Sequence, residues 1–262
     1  MTQATVVTDI HDHILTIRIN RPEKYNSIDP DTRAALKDAW LRFRADDDAW
    51  VAILTGTGDK AFCTGSDLGK TPPPDEPFAQ SHFSAGGSDE LWRPMQGIWK
   101  PVIAAINGYA FGGGLELALG CDLRIASRNA AFAQSEVKVG SMVGAGGSIR
   151  LLRAVPHAVA MKMLLTGTRI DAQEAHRVGL ISDVVEPAEL MPVALKLARE
   201  ICASAPLSVR ATKMSATLGQ AMPVEQALEV ERLLWGLLRN TDDRVEGRRA
   251  FTEKRPPQWR GA

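Results

Sequence analysis

The period of the hydrophobic positions changes several times along the chain, and each change marks an element. Residues 4–8 and Ile14–Ile19 are β-branched runs on either side of Asp9-Ile10-His11-Asp12-His13, which predicts an opening hairpin. Residues 22–26 read as a loop. Asp29-Pro30-Asp31 then caps a helix to about Arg44, with Ala35, Leu36, Ala39, Trp40 and Phe43 at helical spacing. Short apolar runs at 50–54, 101–106 and 123–126 predict buried strands, the first followed by the turn Gly56-Thr57-Gly58 and the last two separated by a short helix. From Gly146 onward the pattern is mostly helical. After a strand over 181–185, a helix over 188–203 follows, with Pro192 near its first turn, where a missing N–H costs least. Helices over 223–238 and 241–254 close the chain. Strand–helix–strand alternation predicts an α/β fold with right-handed crossovers. We divide the chain into an α/β core over 1–200 and a helical C-terminal region over 201–262.

Composition narrows the function classes. At 262 residues the chain can bury a sizeable core. Lys+Arg and Asp+Glu are equal at 31 each, which argues against non-specific binding to nucleic acid or an acidic surface. Aromatic residues are 6%, too few for a stacking surface to be the first expectation. Cys63, Cys121 and Cys202 are odd in number and far apart, without metal-ligand spacing, so a reduced compartment and no bound metal are expected. The N-terminus lacks the pattern of a signal or transit peptide, and no apolar run reaches the ~18 residues of a membrane span. A cytoplasmic, membrane-free protein is the expectation. The proline- and glycine-rich stretch 70–87 reads either as an active-site lid or as plain flexible surface.

The chemistry concentrates between Lys100 and Asp122. A buried-strand pattern there leads through a turn to Gly112-Gly113-Gly114 and a short apolar helix carrying one carboxylate, Glu116, among Leu115, Leu117, Ala118 and Leu119. A glutamate in that setting is costly unless paired, hydrogen-bonded or protonated. The glycines clear side chains from a helix N-terminus, so a ligand oxygen can approach free N–H groups and the positive end of the dipole. Three further segments stand out: Ala61-Phe62-Cys63-Thr64-Gly65-Ser66-Asp67-Leu68, Ala131-Phe132-Ala133-Gln134-Ser135-Glu136-Val137, and the glycine-rich run 140–148. His82 and His157 have no partner acid in a recognisable motif. Cys63 has no sign of being a nucleophile, Asp46-Asp47-Asp48 reads as a turn cap or solvated run, and Met161, Met163, Leu164 and Leu165 read as core. Neither a Walker nor a Rossmann pattern is present.

Together these segments resemble the crotonase, or enoyl-CoA hydratase/isomerase, superfamily. The likeness runs from Asn20-Arg21-Pro22 through 61–68, 100–122 and 132–147 to Leu165-Thr166-Gly167, 172–179 and Phe251-Thr252-Glu253-Lys254-Arg255. It implies a spiral of ββα units with a helical trimerisation part, and subunits assembled as a homo-trimer or hexamer. It implies an enoyl-CoA hydratase in which the backbone N–H groups of Ser66 and Gly113 hold a thioester enolate. Glu116 would orient and deprotonate water and Glu136 would deliver a proton to Cα. Coenzyme A would enter as part of the substrate rather than as a cofactor, along Lys24, Cys63, Gly65, Asp67 and Leu68, with Phe251 and Lys254 reaching the CoA of a neighbouring subunit. Enoyl-CoA isomerisation, a carnitinyl-CoA-type dehydration, or binding without catalysis stay open as alternatives. The chain departs from common hydratases at Ser66, where alanine is usual, at Met142-Val143-Gly144, where proline often precedes the glycine, and in the 70–90 loop. The last two bear on the acyl group rather than on the enolate step.

Overall fold

The computed structural model describes residues 4–70 and 95–262. The proposed lid over 70–87 and His82 lie almost wholly outside the described residues. The opening hairpin is β1 (Val6–His11) and β2 (Ile14–Ile19), paired antiparallel from Val6↔Ile19 to His11↔Ile14. It is longer than the sequence pattern indicates. The loop is only Asp12 and His13, both left-handed (φ 48° and 66°), the conformation a tight two-residue hairpin turn requires. Helix α1 (Pro30–Ala45) has Asp29 as N-cap, its carboxylate accepting from Thr32 N at 2.9 Å.

Three parallel strands follow beside β2, namely β3 (Val51–Gly56), β5 (Val102–Ile106) and β7 (Leu123–Ser127), and β10 (Asp183–Val185) closes this six-stranded sheet in the order β1-β2-β3-β5-β7-β10. Both faces of β3 and β5 are buried. Ile53 and Ile103 face Leu190, Ala194 and Ala198 of the long helix over Leu190–Cys202, while Leu54, Ala104 and Ile106 face the main core with Trp40, Phe43 and Phe62. Burial on both faces explains why these strands read as continuous apolar runs.

A second sheet is absent from the sequence reading. Strands β4 (Ala61–Cys63), β6 (Tyr109–Phe111) and β8 (Ala131–Ala133) run parallel, and the two-residue β9 (Ile170–Asp171) pairs antiparallel with β8. Strands of two or three residues are too short to show a period. Each of β3, β5 and β7 therefore leaves the large sheet at a corner and re-enters in the small one, giving a spiral of stacked ββ units. Asparagines hold the corners together. Asn107 Oδ1 accepts from Gly56 N (3.1 Å) and its Nδ2 donates to Gly58 O (2.7 Å) and Ala61 O (3.1 Å). Asn129 Nδ2 donates to Asp59 O (2.8 Å), and the fully buried Asn26 donates to Ala61 O (2.6 Å) and Thr57 O (3.0 Å). Buried backbone carbonyls at a bend need such partners, because neither ladder can supply them.

Helix α2 (Gly113–Gly120) fills the crossover between β6 and β7. After β8 come α3 (Gly147–Ala154) and α4 (His157–Thr166), then α5 (Ala172–Arg177) between β9 and β10, and after β10 α6 (Leu190–Cys202), α7 (Pro206–Gly219), α8 (Val224–Leu237) and α9 (Asp242–Glu253). The methionine–leucine cluster on α4 is only partly core: Met163 is buried, but Leu165 lies on the opposite face and is 68% exposed. Among the described residues no helix is long and apolar enough to cross a membrane. A corner glycine offers a test of the spiral. A Cβ on Gly108 would stand 2.2 Å from Lys60 O. Gly108→Ala is therefore expected to cost about 3 kcal/mol, read as a fall in thermal midpoint. A midpoint within about a degree of wild type would contradict this packing.

Candidate active site

Two backbone segments meet where β4 and β6 end. Gly65 adopts φ +86° after β4, and a Cβ there would stand 2.9 Å from Gly113 N. Gly112, with φ +53°, caps α2, and a Cβ on Gly114 would stand 1.9 Å from Cys63 O. Only glycine permits this approach at 114, and only glycine adopts the φ at 112 and 65 without strain. Ser66 follows Gly65 in an exposed turn, and Gly113 is the first residue of α2. Neither N–H donates to an acceptor among the described residues. The turn and the helix start thus bring two free backbone donors side by side, with the positive end of the α2 dipole behind one of them.

Glu116 lies on the first turn of α2 and is only 4% exposed. Its Oε1 accepts from Ala145 N (2.6 Å) and Gly147 N (3.0 Å), so the glycine-rich segment before α3 wraps one carboxylate oxygen. Burial raises its pKa, and the Gly147 and Ala145 N–H groups with the Arg150 charge offset only part of that rise. Arg150, on α3, also donates to Ala145 O at 3.0 Å, bracing the same segment.

Glu136 opens a 3-10 turn (Glu136–Val139) after β8 and is half-buried. It faces the helix start, since a Cβ on Gly112 would meet its Oε1 at 3.0 Å. The side-chain amide of the fully buried Gln134 lies 3.3 Å from both Glu136 carboxylate oxygens, and donates to them when its nitrogen is the atom turned that way, the orientation that its neighbours satisfy. Burial raises the Glu136 pKa first, its own N–H lowers it, and the charge of Glu116 raises it again. The Lys138 stem packs against Gly167. Gln134, Ala145, Gly147 and Arg150 are parts of the site that the sequence reading missed. The segments 131–137 and 140–148 that stand out in the sequence contain Gln134, Ala145 and Gly147, whereas nothing there points to Arg150.

The other expected binding residues fall in two places. Cys63 is fully buried, its thiol pushed up to about 12 by burial, which leaves its backbone as the functional part. Lys24 is exposed in the 3-10 turn Pro22–Lys24, and Leu68 is 68% exposed beyond Ser66. The Asp67 carboxylate is held by Arg21 at 2.9 Å. Phe251, 86% exposed, and Lys254 sit at the end of α9. No hydrogen bond or ion pair joins either to the 63–68 or 113–116 segments among the described residues. A hollow of about 460 Å³, lined by Phe111, Ser135, Lys138 and Arg169 among others, includes none of Ser66, Gly113, Glu116 and Glu136. Among the described residues no group of three or more His, Cys, Asp or Glu could hold a metal ion.

The arrangement suits a reaction that builds negative charge on a carbonyl oxygen while two carboxyl groups handle protons. Comparison with known proteins points the same way. Residues 9–262 match the family model described as enoyl-CoA hydratase/isomerase. The chain is 53% identical over 257 residues to an (E)-benzylidenesuccinyl-CoA hydratase from Thauera aromatica, covering 98% of this chain and 99% of that protein. It is 42% identical to a carnitinyl-CoA dehydratase from Salmonella enteritidis, with 95% of each covered. An enoyl-CoA hydratase structure from Bacillus anthracis superposes with a TM-score of 0.91 at 34% identity, covering 98% of this chain and 100% of the other. With the fold, the chain length and the glycine-lined helix start all in agreement, this protein belongs to the enoyl-CoA hydratase/isomerase family, the crotonase superfamily.

Proposed function

We propose that this protein is an enoyl-CoA hydratase that adds water reversibly across the 2,3-double bond of a 2-enoyl-CoA. The observation that carries the reading is the pair of free backbone donors, Ser66 and Gly113, beside two carboxyl groups in unlike surroundings. In the forward direction Glu116 takes a proton from water as its oxygen bonds to C3. The displaced π electrons move through the conjugated system to the thioester oxygen, where the Ser66 and Gly113 N–H groups hold the enolate. Glu136 then gives its proton to C2, so that H and OH are added and the two carboxyls exchange protonation states before the next turnover. Charge gathers on that oxygen only at the transition state, which is why donors fixed in advance accelerate the step.

The two environments support this division of labour. Burial raises both carboxyls, but two N–H donors and the Arg150 charge offset part of the rise at Glu116, whereas at Glu136 the Glu116 charge adds to it. Glu116 is therefore the better placed of the two to carry the charge. Coenzyme A is read as lying along Lys24, Cys63, Gly65, Asp67 and Leu68, mostly on backbone. Phe251 and Lys254, both exposed, are read as serving the neighbouring subunit of a homo-trimer or hexamer, with Lys254 as a point charge for phosphate. The core at 1–200 would then carry the site and the helices of 201–262 the assembly, in a cytoplasmic enzyme. The two relatives named above act on CoA thioesters with large acyl groups, by their names, and one of them runs a dehydration. Hydration and dehydration are one equilibrium on one site, so a 2-enoyl-CoA with a bulky substituent at C3 is the substrate class we favour.

Purified protein incubated with crotonyl-CoA and with cinnamoyl-CoA is expected to bleach the enone-thioester absorbance of at least one of them. Binding without any bleaching across a panel of enoyl-CoAs would point to a non-catalytic role instead. Glu136→Gln is expected to lower kcat by about 100-fold or more while leaving KM within a few-fold, in steady-state assays. Turnover like wild type would remove Glu136 from the mechanism. Gly113→Val, which sets a branched side chain beside a donor, is expected to cost on the order of 3 kcal/mol in kcat/KM.

Stability should report the same carboxyl. The Glu136 pKa is raised in the folded protein, so folding favours its neutral form. That contribution is fully present below the unfolded carboxyl value, about 4.3, and is lost as pH rises through the folded value. Glu136→Gln should therefore melt above wild type at pH 7, with the gap closing towards pH 4. A gap independent of pH would mean that charge burial is not its source.

A further inference from the structure

We propose that Arg21 and Asp67 are positioning residues for the oxyanion site, holding the 64–67 turn so that the Ser66 N–H stands beside that of Gly113. The inference rests on the hydratase reading and adds to it a role for two side chains: Asp67 meets coenzyme A by its backbone in that reading, and its carboxylate is held by Arg21. Ser66 lies in an exposed turn, yet both of its neighbours are fixed. Ile28 N donates to Gly65 O (2.8 Å) and Asp67 N donates to Ile28 O (2.9 Å), an isolated bridge that leaves the Ser66 N–H itself unused. Further along, the Asp67 carboxylate takes Arg21 Nη2 at 2.9 Å. The Arg21 guanidinium, with a side chain only 7% exposed, also donates to Ser27 O (2.5 Å) and reaches Asp29 Oδ2 at 3.2 Å. Asp29 is the N-cap of α1, so one buried cation joins that helix, the 21–28 segment and the turn that carries Ser66.

The same segment grips the other end of β4. Arg21 N donates to the Asn26 side chain (3.0 Å), whose amide donates to Ala61 O, and Thr64 Oγ1 donates to Tyr25 O (3.2 Å). Residues 61–67 are thus clamped at both ends by residues 21–28. A buried ion pair is weak evidence of stability, because desolvation offsets much of its attraction, whereas fixing register is its best-attested use. Arginine suits the role, since its planar fork serves two carboxylates and a carbonyl at once, which a lysine ammonium on a flexible stem does not. Small displacements of a donor matter: a shift of about 1 Å costs on the order of 100-fold in rate.

The test uses the full-length protein and the variants Asp67→Ala, Asp67→Asn and Arg21→Lys. Three readouts are taken: kcat and KM for crotonyl-CoA, the thermal midpoint, and the red shift of cinnamoyl-CoA absorbance on binding, read by stopped flow before hydration can bleach it, which reports polarisation of its carbonyl. Asp67→Ala is expected to lose about 10–100-fold in kcat with KM within about threefold, and to lose most of the red shift. Asp67→Asn keeps the volume and one acceptor, so it should fall between wild type and Asp67→Ala; it also serves if the alanine variant does not fold. Arg21→Lys should resemble Asp67→Ala. Folded variants with a wild-type red shift and kcat would overturn the proposal, as would a lower midpoint with the kcat of the folded fraction unchanged. A wild-type protein that neither turns over nor shifts the spectrum would sink the hydratase reading and this one together; a wild type that does both, beside variants that match it, sinks this one alone.

Discussion

At Gly114 there is no room for even a methyl group, because a Cβ would sit 1.9 Å from the Cys63 carbonyl, and at Gly65 a Cβ would sit 2.9 Å from Gly113 N. That contact between the end of β4 and the start of α2 sets the rest of the site. It fixes where the two free N–H groups lie relative to one another. It also fixes the axis of α2, and therefore where the first-turn carboxylate of Glu116 emerges. From there the glycine-rich segment before α3 closes over Glu116, and the end of β8 brings Glu136 against Gly112. A side chain at any of these glycines would separate the donors from the carboxyls.

The spiral supplies the rigidity such a contact needs. β4 and β6 are three residues each, too short to hold their places by ladder hydrogen bonds alone. Asn26, Asn107 and Asn129 tie the corners to one another, and the Arg21 guanidinium holds the turn beyond β4. Asp29, with its pKa lowered to about 2 though burial alone would raise it, is an anion sustained by Thr32, Lys70 and Arg21. The buried polar groups around the 61–67 segment therefore have assigned partners, and the segment has little freedom to move.

Much of this was legible in the sequence, for physical reasons. The parallel strands are buried on both faces, so 50–54 and 101–106 read as unbroken apolar runs, and Asp29-Pro30 announces the start of α1. Gly112-Gly113-Gly114 followed by Glu116 in an apolar helix is a local pattern that demands a chemical explanation. The family and the α/β class followed from these motifs in their order. The small sheet was not legible, since three-residue strands have no period, and neither were the corner asparagines, whose partners lie some 31 to 70 residues away. Gln134 and Arg150 have near neighbours in sequence, Glu136 and Ala145, but nothing local marks them as parts of a site until the packing of β8, α2 and α3 brings Glu136 and Glu116 together. The hairpin was underestimated because Asp12 and His13 turn the chain with positive φ, which a non-glycine pair signals weakly.

The central claim is that this constellation adds water to a double bond and leaves the thioester intact. It is tested most directly by running the reaction in water labelled with heavy oxygen and analysing the CoA products by mass spectrometry. The account predicts one heavy oxygen in a 3-hydroxyacyl-CoA, on the acyl chain rather than in the thioester. Label appearing in a free carboxylic acid with release of coenzyme A, or a shifted double bond with no label at all, would contradict it.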